Sequence, residues 1–259
     1  MAEILATAKA AARAAGMRIL QKRGSKVDRK ASNDLITEAD LEAQQIVIDT
    51  IHSPFPNHTV LAEEGDAAKQ KVGGNTWIVD PLDGTNNFAH GVPQFAVSIA
   101  YAQDARVCAG VVYDPVRNEM FSAYEGMGAY LDDMPIAPSC AQSLEETIAA
   151  FGFYYDRDAL MKQTLDTLER LLRSRIRGIR RFGSAALDCC WVGCGRFDAY
   201  FEYRLSPWDF AAGAMIAREA GARVSTCEAG ELQLEPGSVC VAAPGVYDSF
   251  FNIVRREHA

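Results

Sequence analysis

The alternation of hydrophobic and polar positions predicts a chain built from both helices and strands. Residues 2–21 are rich in Ala and other helix formers, and residues 37–51 alternate charged and apolar side chains at helical spacing. Between residue 60 and about residue 131 the pattern predicts strands, at 60–62, 77–79, 94–102, 107–113 and 120–123.

A polar stretch containing Pro135 and Pro138 predicts a boundary near residue 140. Strands and helices alternate after it, with strands at 147–151, 178–182, 197–203, 222–225 and 239–243, and helices at 158–173, 184–192, 207–221 and from 246 onward. Gly221 is a suitable left-handed stop for the helix that begins at Pro207. We therefore expect an N-terminal α+β half, 1–140, and a C-terminal α/β half, 141–259, within one compact unit.

Composition and charge narrow the class of protein. Hydrophobic residues make up 49% of the chain and charged residues 23%, which is ordinary for a globular protein. No run approaches the ~20 apolar residues of a membrane span, and the seven cysteines form no disulfide framework pattern. We therefore expect a cytoplasmic protein with no membrane partner, and the formal net charge of -8 makes nucleic acid an unlikely partner.

One basic cluster departs from this acidic balance. Six arginines lie at positions 170, 173, 175, 177, 180 and 181, just before Gly183. A solvated helix end followed by an edge strand explains them without any function. The functional alternatives are a basic rim that attracts phosphorylated substrates or a surface for a partner subunit.

The stretch Asp80-Pro-Leu-Asp-Gly-Thr85 carries the most chemical information. It follows a predicted strand, and because Pro81 cannot extend a β-ladder we expect the chain to turn there. Asp80 and Asp83 would then stand together at the strand's end, beside a helix that begins at Thr85. Two carboxylates at a helix N-terminus can hold hard cations and an anion at once, as metal-assisted phosphate chemistry requires.

An ordinary turn explains the same residues equally well when they are taken alone, with Asp83 capping a helix and Asp80 only solvated. A second acidic segment, Glu63-Glu64, follows a short predicted strand. Adjacent side chains on a strand point to opposite faces, so we expect only one of these glutamates to join a shared site. Taken alone, this pair is typical of a solvated acidic loop.

A third segment begins at Ser206, which fits a helix N-cap, with Pro207 at the first helical position and Asp209 at the capping-box position. Local structure thus explains Asp209 without any function. The small residues at 211–213 predict a helix that packs very closely against a neighbour. A first-turn carboxylate on such a helix is also a well-held metal ligand, and the two roles are compatible.

Five motifs in order resemble the inositol monophosphatase family, within the lithium-sensitive, magnesium-dependent phosphatases. They are the Asp-Pro-Leu-Asp-Gly-Thr-Asn-Asn-Phe run at 80–88, Trp-Asp-Phe-Ala-Ala-Gly at 208–213, the Glu-Glu pair at 63–64, the Asp-x-x-Thr-x-x-Asp of Asp34, Thr37 and Asp40, and Gly-Ser-Ala-Ala at 183–186. The resemblance implies a layered α-β-α-β-α sandwich of the inositol monophosphatase and fructose-1,6-bisphosphatase type. It also implies a homodimer, lithium inhibition, and two or three Mg²⁺ at the junction of the halves.

The resemblance further implies roles for particular residues. The metal ligands would be Glu63, Asp80, the Leu82 carbonyl, Asp83 and Asp209. Catalysis would use Thr85 to hold the attacking water, Glu63 to assist it and Asp40 to bind the Thr85 hydroxyl. Substrate binding would use Asp83, the backbone amides of Gly84 and Thr85, then Gly183, Ser184 and Ala185 on the alcohol side, and Glu202 for hydroxyls. Lys30 would be a basic loop residue, although the adjacent Arg29 could serve instead.

The chemistry agrees with these residue types. Four carboxylates converging on one point repel one another strongly unless a cation is present. Mg²⁺ suits an all-oxygen set and keeps waters, one of which can become the nucleophile. We therefore expect direct in-line hydrolysis of a phosphate monoester, without a phosphoenzyme intermediate.

The substrate is less well determined than the reaction. Asn86-Asn87-Phe88 after the signature, together with Glu202, favours inositol monophosphate. Fructose 1,6-bisphosphate, 3′-phosphoadenosine 5′-phosphate and histidinol phosphate are alternatives within the wider family. An alternative of another class is a binding partner of the transcription machinery, since bacterial relatives can act in that way.

Overall fold

Two β-sheets with helices on both of their faces form the framework of the protein. The computed structural model describes residues 2–23, 27–29, 35–153 and 159–256, with only the backbone at 27–29 and 35–37. Within these ranges the chain forms seven α-helices: α1 (Ala2–Gln21), α2 (Glu38–His52), α3 (Thr85–Ala89), α4 (Ala159–Arg173), α5 (Ala185–Gly193), α6 (Pro207–Glu219) and α7 (Tyr247–Val254).

The described ranges also contain fourteen strands. The first nine are β1 (Val27–Arg29), β2 (Leu35–Thr37), β3 (Thr59–Ala62), β4 (Asn75–Asp83), β5 (Ala96–Gln103), β6 (Arg106–Asp114), β7 (Glu119–Tyr124), β8 (Ala129–Leu131) and β9 (Met134–Pro135). The last five are β10 (Ile148–Phe151), β11 (Gly178–Arg180), β12 (Ala199–Leu205), β13 (Arg223–Ser225) and β14 (Gly237–Ala242). Two short 3₁₀ helices span Gly65–Lys69 and Leu144–Glu146.

The larger sheet has seven strands in the order β3 to β9, antiparallel except for the parallel pair β3–β4. The smaller sheet has the order β11-β10-β12-β14-β13, in which β10 runs parallel to both neighbours and β14 runs antiparallel to both of its own. β1 and β2 form a separate antiparallel pair.

Helices and sheets alternate in five layers. α1 and α2 pack on one face of the seven-stranded sheet, and α5 and α6 fill the space between the two sheets. α4 and α7 cover the far face of the five-stranded sheet. The layered α-β-α-β-α sandwich expected from the sequence is confirmed. The division near residue 140 stays a prediction, because the middle core joins residues from both sides of it.

Burial on both sheet faces explains the long apolar runs in the central strands. Along β4, Ile78 belongs to the core shared with α5 and α6, whereas Val79 belongs to the core shared with α1 and α2. Successive residues point to opposite faces, so a strand covered on both faces needs apolar side chains at every position. No helix within the described ranges has both the length and the apolar character to cross a membrane.

The prediction that the chain turns at Pro81 was wrong. β4 continues to Asp83, but its pairing with β5 is irregular: Asp80 lies opposite Ser98 and Asp83 lies opposite Ala96. Pro81 and Leu82 on β4 therefore lie opposite the single residue Val97 on β5, which is a β-bulge. Pro81 is tolerated there because a bulge leaves a residue unpaired.

Two other elements differ from the expectation in detail. β8 and β9 form a small antiparallel pair that includes Pro135, in the stretch taken as a polar boundary. α6 ends at Glu219, and Gly221 adopts φ of 103° just beyond it, which confirms its role as the left-handed stop.

The close packing predicted for α6 is confirmed. A β-carbon at Gly213 would lie 2.8 Å from the Ala186 carbonyl oxygen on α5, and one at Gly110 on β6 would lie 2.7 Å from the Ala212 carbonyl oxygen on α6. α6 is thus held against a sheet on one side and against α5 on the other, with no room for a methyl group at either position.

We expect Gly110→Ala to lower the free energy of unfolding by about 1–3 kcal/mol, because its methyl group would meet backbone atoms of α6 that cannot rotate away. Gly73→Ala is the matched control, since a β-carbon at Gly73 has nothing within 4 Å. Chemical denaturation measures both variants, and equal stabilities would contradict the packing account.

Candidate active site

A cavity of about 580 Å³ opens where the end of β4 meets the starts of α5 and α6. It brings together eleven of the residues predicted from sequence: Glu63, Asp80, Leu82, Asp83, Gly84, Thr85, Gly183, Ser184, Ala185, Glu202 and Asp209. These residues come from segments more than a hundred positions apart. The fold therefore assembles them into one site.

Asp80 and the bulge in β4 form the floor of the site. Asp80 is buried, and its Oδ1 accepts a hydrogen bond of 2.9 Å from the Leu82 N–H. This bond from a side chain to the backbone two residues on forms the ordinary turn considered above. The Asp80 side chain is, however, buried and not solvated. The next turn depends on Gly84, whose φ is 97° and whose β-carbon would lie 2.9 Å from the Gln94 carbonyl oxygen.

Asp83 joins this turn to α5. Its Oδ2 accepts hydrogen bonds from the Ser184 hydroxyl at 2.6 Å and from the Ala186 N–H at 2.8 Å, and its Oδ1 lies 3.3 Å from the Ala185 nitrogen. Asp83 thus caps a helix, as it would in the ordinary turn considered in the sequence analysis. The helix is α5, about a hundred residues away, and not the adjacent α3. Asp83 is consequently fixed against both halves of the site.

The predicted contact between Asp40 and Thr85 is present. The Thr85 Oγ1 lies 3.0 Å from Asp40 Oδ1 and 3.0 Å from the Leu82 carbonyl oxygen. Asp40 is fully buried in the first turn of α2, behind the residues that line the cavity. A buried carboxylate therefore orients the hydroxyl at the start of α3.

Asp209 reaches the cavity from the first turn of α6. Its Oδ2 accepts a 2.7 Å hydrogen bond from the Ser206 N–H, in the capping box that the sequence predicted. Pro207 occupies the first turn, also as predicted. Local capping and a place in the site are therefore compatible roles for Asp209.

Both glutamates of the Glu63-Glu64 pair line the cavity, although only one was expected to. They lie beyond the last residue of β3, so strand alternation does not separate them. Glu64 is buried, and its backbone N–H and carbonyl both bond to the Gln44 side-chain amide at 3.0 Å. Of the two glutamates, Glu63 is the one that raises the pKa values of Asp80 and Asp209.

Burial, followed by repulsion among these carboxyls, sets the electrostatics of the site. Burial raises the pKa of Asp80 well above its usual range, and Glu63, Asp83 and Asp209 raise it further. The pKa of Asp209 is raised in the same way, by burial and then by Glu63 and Asp83. Burial raises the pKa of Asp83 to about 6, against the opposing effect of its hydrogen bonds from α5. A positive charge placed among them would relieve this cost.

The donor set fits a hard cation. Its members are carboxylate and carbonyl oxygens, which are the ligands that Mg²⁺ prefers. In the described part of the chain, no three His, Cys, Asp or Glu side chains stand in a ready coordination arrangement.

Glu202 also lines the cavity. It is buried on β12, and its Oε2 accepts a 2.9 Å hydrogen bond from the Tyr200 hydroxyl. Burial raises its pKa to about 7. A β-carbon at Gly152 would overlap its carboxylate, so the glycine makes room for it.

The structure adds lining residues that the sequence reasoning missed, among them Gly152, Asp188 and Arg204. Asp188 had a visible signal, because it is the one charged residue in the apolar run of α5. Asn87, noted only as part of a motif, donates from Nδ2 to the carbonyl oxygens of Gln94 and Phe182, both at 2.7 Å. It therefore ties the loop before β5 to the loop before α5.

The six arginines of the basic cluster have different surroundings. Arg173 pairs with Glu169 on the same helix, and Arg177 Nε donates to the Glu145 carbonyl oxygen. Arg181 is the one member of the cluster among the cavity-lining residues. Its charge lowers the pKa of Glu202 against the effect of burial.

Some predicted residues cannot be placed. Lys30 and Asp34 lie outside the described residues, and Thr37 is described by its backbone alone. All seven cysteines are free, and burial raises the pKa of Cys189 and Cys190 well above the usual range. Cys189 and Cys190 are thus small core residues of α5.

Comparison with known proteins agrees with the geometry. The profile of the inositol monophosphatase family matches residues 1–258. This chain belongs to the inositol monophosphatase family. "Nus factor SuhB" of Escherichia coli is 40% identical over 228 residues, which cover 88% of this chain and 85% of the relative.

Solved structures of bacterial family members have the same fold. The Thermotoga maritima IMPase has a TM-score of 0.89 and 35% identity, and the match covers 97% of this chain and 96% of that one. The Staphylococcus aureus SaIMPase-II, solved with inositol monophosphate bound, has a TM-score of 0.82 and 32% identity over 98% and 94% of the two chains. Family membership supports a phosphatase that acts on small phosphate monoesters, and the family is generally Mg²⁺-dependent.

The cation-free protein should become more stable as the pH falls from 8 to about 5.5. The folded-state pKa values of about 6 for Asp83 and about 7 for Glu202 lie above those of the unfolded chain, so the folded state binds more protons in this window. The free energy of unfolding therefore falls as the pH rises.

Thermal unfolding in EDTA across this pH range measures the effect. Glu202→Gln should make the dependence shallower, because it removes one of the groups that titrate. Adding Mg²⁺ should raise the Tm most at pH 8, where the carboxyls are ionised. A Tm in EDTA that drops between pH 8 and 6 would contradict the account.

Proposed function

We propose that the protein is a magnesium-dependent phosphomonoesterase that hydrolyses inositol monophosphate to inositol and phosphate. The observation that carries this proposal is the convergence of Glu63, Asp80, Asp83 and Asp209 in one cavity, beside the Thr85 hydroxyl. Membership of the inositol monophosphatase family supports the same chemistry.

The proposed metal ligands are Glu63, Asp80, Asp83, Asp209 and the Leu82 carbonyl oxygen, for two or three Mg²⁺ ions. When bound, Mg²⁺ supplies a coordinated water of lowered pKa and stabilises negative charge on the leaving alkoxide. Asp80 and Asp209 are each held by a backbone N–H, from Leu82 and Ser206 respectively. Their carboxylates are therefore positioned before any ion arrives.

Thr85 positions the attacking water in this mechanism. Its hydroxyl can donate to Asp40, which leaves its lone pairs available to a water in the cavity. Glu63 then accepts the proton that the water gives up. Water therefore attacks phosphorus in line, without a phosphoenzyme.

The two ends of the substrate meet different walls. The backbone amides of Gly84 and Thr85, together with Asp83, face the phosphate end. Gly183, Ser184, Ala185 and Glu202 face the alcohol end, with the Glu202 carboxylate as acceptor for hydroxyls. Inositol monophosphate suits this division, and a solved relative binds it. Fructose 1,6-bisphosphate, 3′-phosphoadenosine 5′-phosphate and histidinol phosphate remain the alternative substrates.

We also propose that the protein is a lithium-sensitive cytoplasmic homodimer, as expected from the family. The second candidate function is an interaction with the transcription machinery. It rests on the name "Nus factor SuhB" that the E. coli relative carries. The exposed arginines on α4 and in the segment that follows it offer a surface for such a contact, although nucleic acid itself remains an unlikely partner.

Asp80→Asn should lower kcat/KM on inositol 1-phosphate by about 100-fold or more, because it removes one charged ligand and its share of charge stabilisation. The amide keeps the acceptor for Leu82, so the turn should survive. Asp114→Asn is the matched control, since Asp114 is also buried and its Oδ1 accepts a 2.9 Å bond from Val116 two residues on, away from the cavity.

Phosphate release from the four candidate substrates, with Mg²⁺ and then with EDTA, measures the activity. Mg²⁺-dependent turnover that is fastest on inositol 1-phosphate is the expected result. A folded wild-type protein that hydrolyses none of them would contradict the proposal and favour the interaction. Retention of cellular function by Asp80→Asn would show that the interaction, and not catalysis, is what the cell requires.

A further inference from the structure

The buried carboxyl of Asp188 is unexplained by the roles described so far. Every residue of α5 is buried, and Asp188 is the one charged residue among them. Its side chain is 1% exposed and lines the cavity. Within the described part of the chain, no group forms a hydrogen bond with its Oδ1.

Helix capping does not account for this residue. Acidic residues are common in first turns because they can bond the free backbone N–H groups there. At α5 those groups are served by Asp83, which accepts from Ala186 and lies near Ala185. The Asp188 side chain is left to face the cavity. A buried polar atom without a partner is costly, so a ligand that supplies one would bind favourably there.

The neighbours of Asp188 place it in the alcohol half of the cavity. The carboxylates of Asp83 and Glu202 both act on its pKa and raise it, after burial, whereas Arg181 lowers it. Glu202 is itself held by Tyr200 and responds to the same Arg181. Asp188 and Glu202 thus share one electrostatic environment, in which the Arg181 guanidinium opposes the effect of burial on both pKa values.

We propose that Asp188 is a second hydroxyl-binding residue of the site, and that Asp188 and Glu202 together bind two hydroxyls of a polyol phosphate. The proposal rests on the proposed phosphatase function and specifies its substrate class. It requires an alcohol with several hydroxyl groups, in preference to an aryl or monohydric alcohol.

The chemistry of the surroundings favours a hydroxyl over other partners. A hydroxyl both donates and accepts, so it satisfies a carboxyl whether that group is ionised or protonated. An anionic group, such as a second phosphate, would meet the like charges of Asp83 and Glu202. An apolar group would leave Asp188 Oδ1 buried without a partner. A polyol offers hydroxyl groups at this place and avoids the costs of an anionic or an apolar group.

The test compares two substrates that differ in hydroxyl groups. In Asp188→Asn, one carboxyl oxygen is replaced by an NH₂ group, which cannot accept a hydrogen bond from a hydroxyl. The ratio of kcat/KM on inositol 1-phosphate to kcat/KM on p-nitrophenyl phosphate should fall about tenfold, mainly through KM. The aryl ester offers no hydroxyl to the alcohol half. A loss of activity on this ester therefore has a cause other than lost hydroxyl binding.

Asp198→Asn is the matched control. Asp198 is also a buried carboxyl, and it accepts bonds from Ser139 and Ile148 outside the cavity. This variant should lose stability and keep the wild-type substrate ratio. Thermal unfolding of both variants separates folding from recognition.

The outcomes are distinct. A ratio that stays at the wild-type value in Asp188→Asn, whether both activities fall together or neither falls, overturns the proposal. If the wild-type protein hydrolyses neither ester, the result contradicts the proposed function instead. Monodeoxy analogues of inositol 1-phosphate give a second test that needs no folded variant at position 188. Removal of either of the two bound hydroxyls should lower the kcat/KM of the wild-type protein about tenfold. If the removal of only one hydroxyl lowered kcat/KM, the proposed pair of hydroxyl-binding residues would be contradicted.

Discussion

The Asp83 carboxylate holds the site together, because it bonds the end of one strand to the start of a distant helix. It lies at the end of β4 in the larger sheet, and it receives the Ser184 hydroxyl and the Ala186 N–H from α5 in the middle layer. Burial raises its pKa to about 6 while these bonds oppose the rise. A charged group is thereby kept where several other carboxyls also converge.

Close backbone packing makes this arrangement rigid. α6 carries Asp209 into the cavity, and its place is fixed by glycines at its contacts with α5 and with β6. Gly84 and Gly152 serve the site in the same way, the first through a left-handed turn and the second by making room for Glu202. The glycines thus shape the cavity as much as the charged side chains do.

The sequence allowed the layered fold and eleven of the cavity-lining residues to be predicted. The capping box at Asp209 and the contact between Asp40 and Thr85 are local or motif-level features, and both are present. The bulge at Pro81 was missed because strand pairing across a bulge depends on the neighbouring strand. The partner of Asp83 was missed because it lies a hundred residues away. Asp188 was missed because an acidic first-turn residue ordinarily signals capping alone.

The most direct test of the central claim is Mg²⁺ binding at pH 6.5 by isothermal titration calorimetry, in buffers of different ionisation enthalpy. If the buried carboxyls form a cation site, binding must release protons, because the pKa values of the proposed ligands Asp80, Asp83 and Asp209 are all raised in the cation-free protein. The account predicts saturable binding with proton release that Asp80→Asn weakens strongly. Binding without proton release, or equal binding by Asp80→Asn, would contradict it.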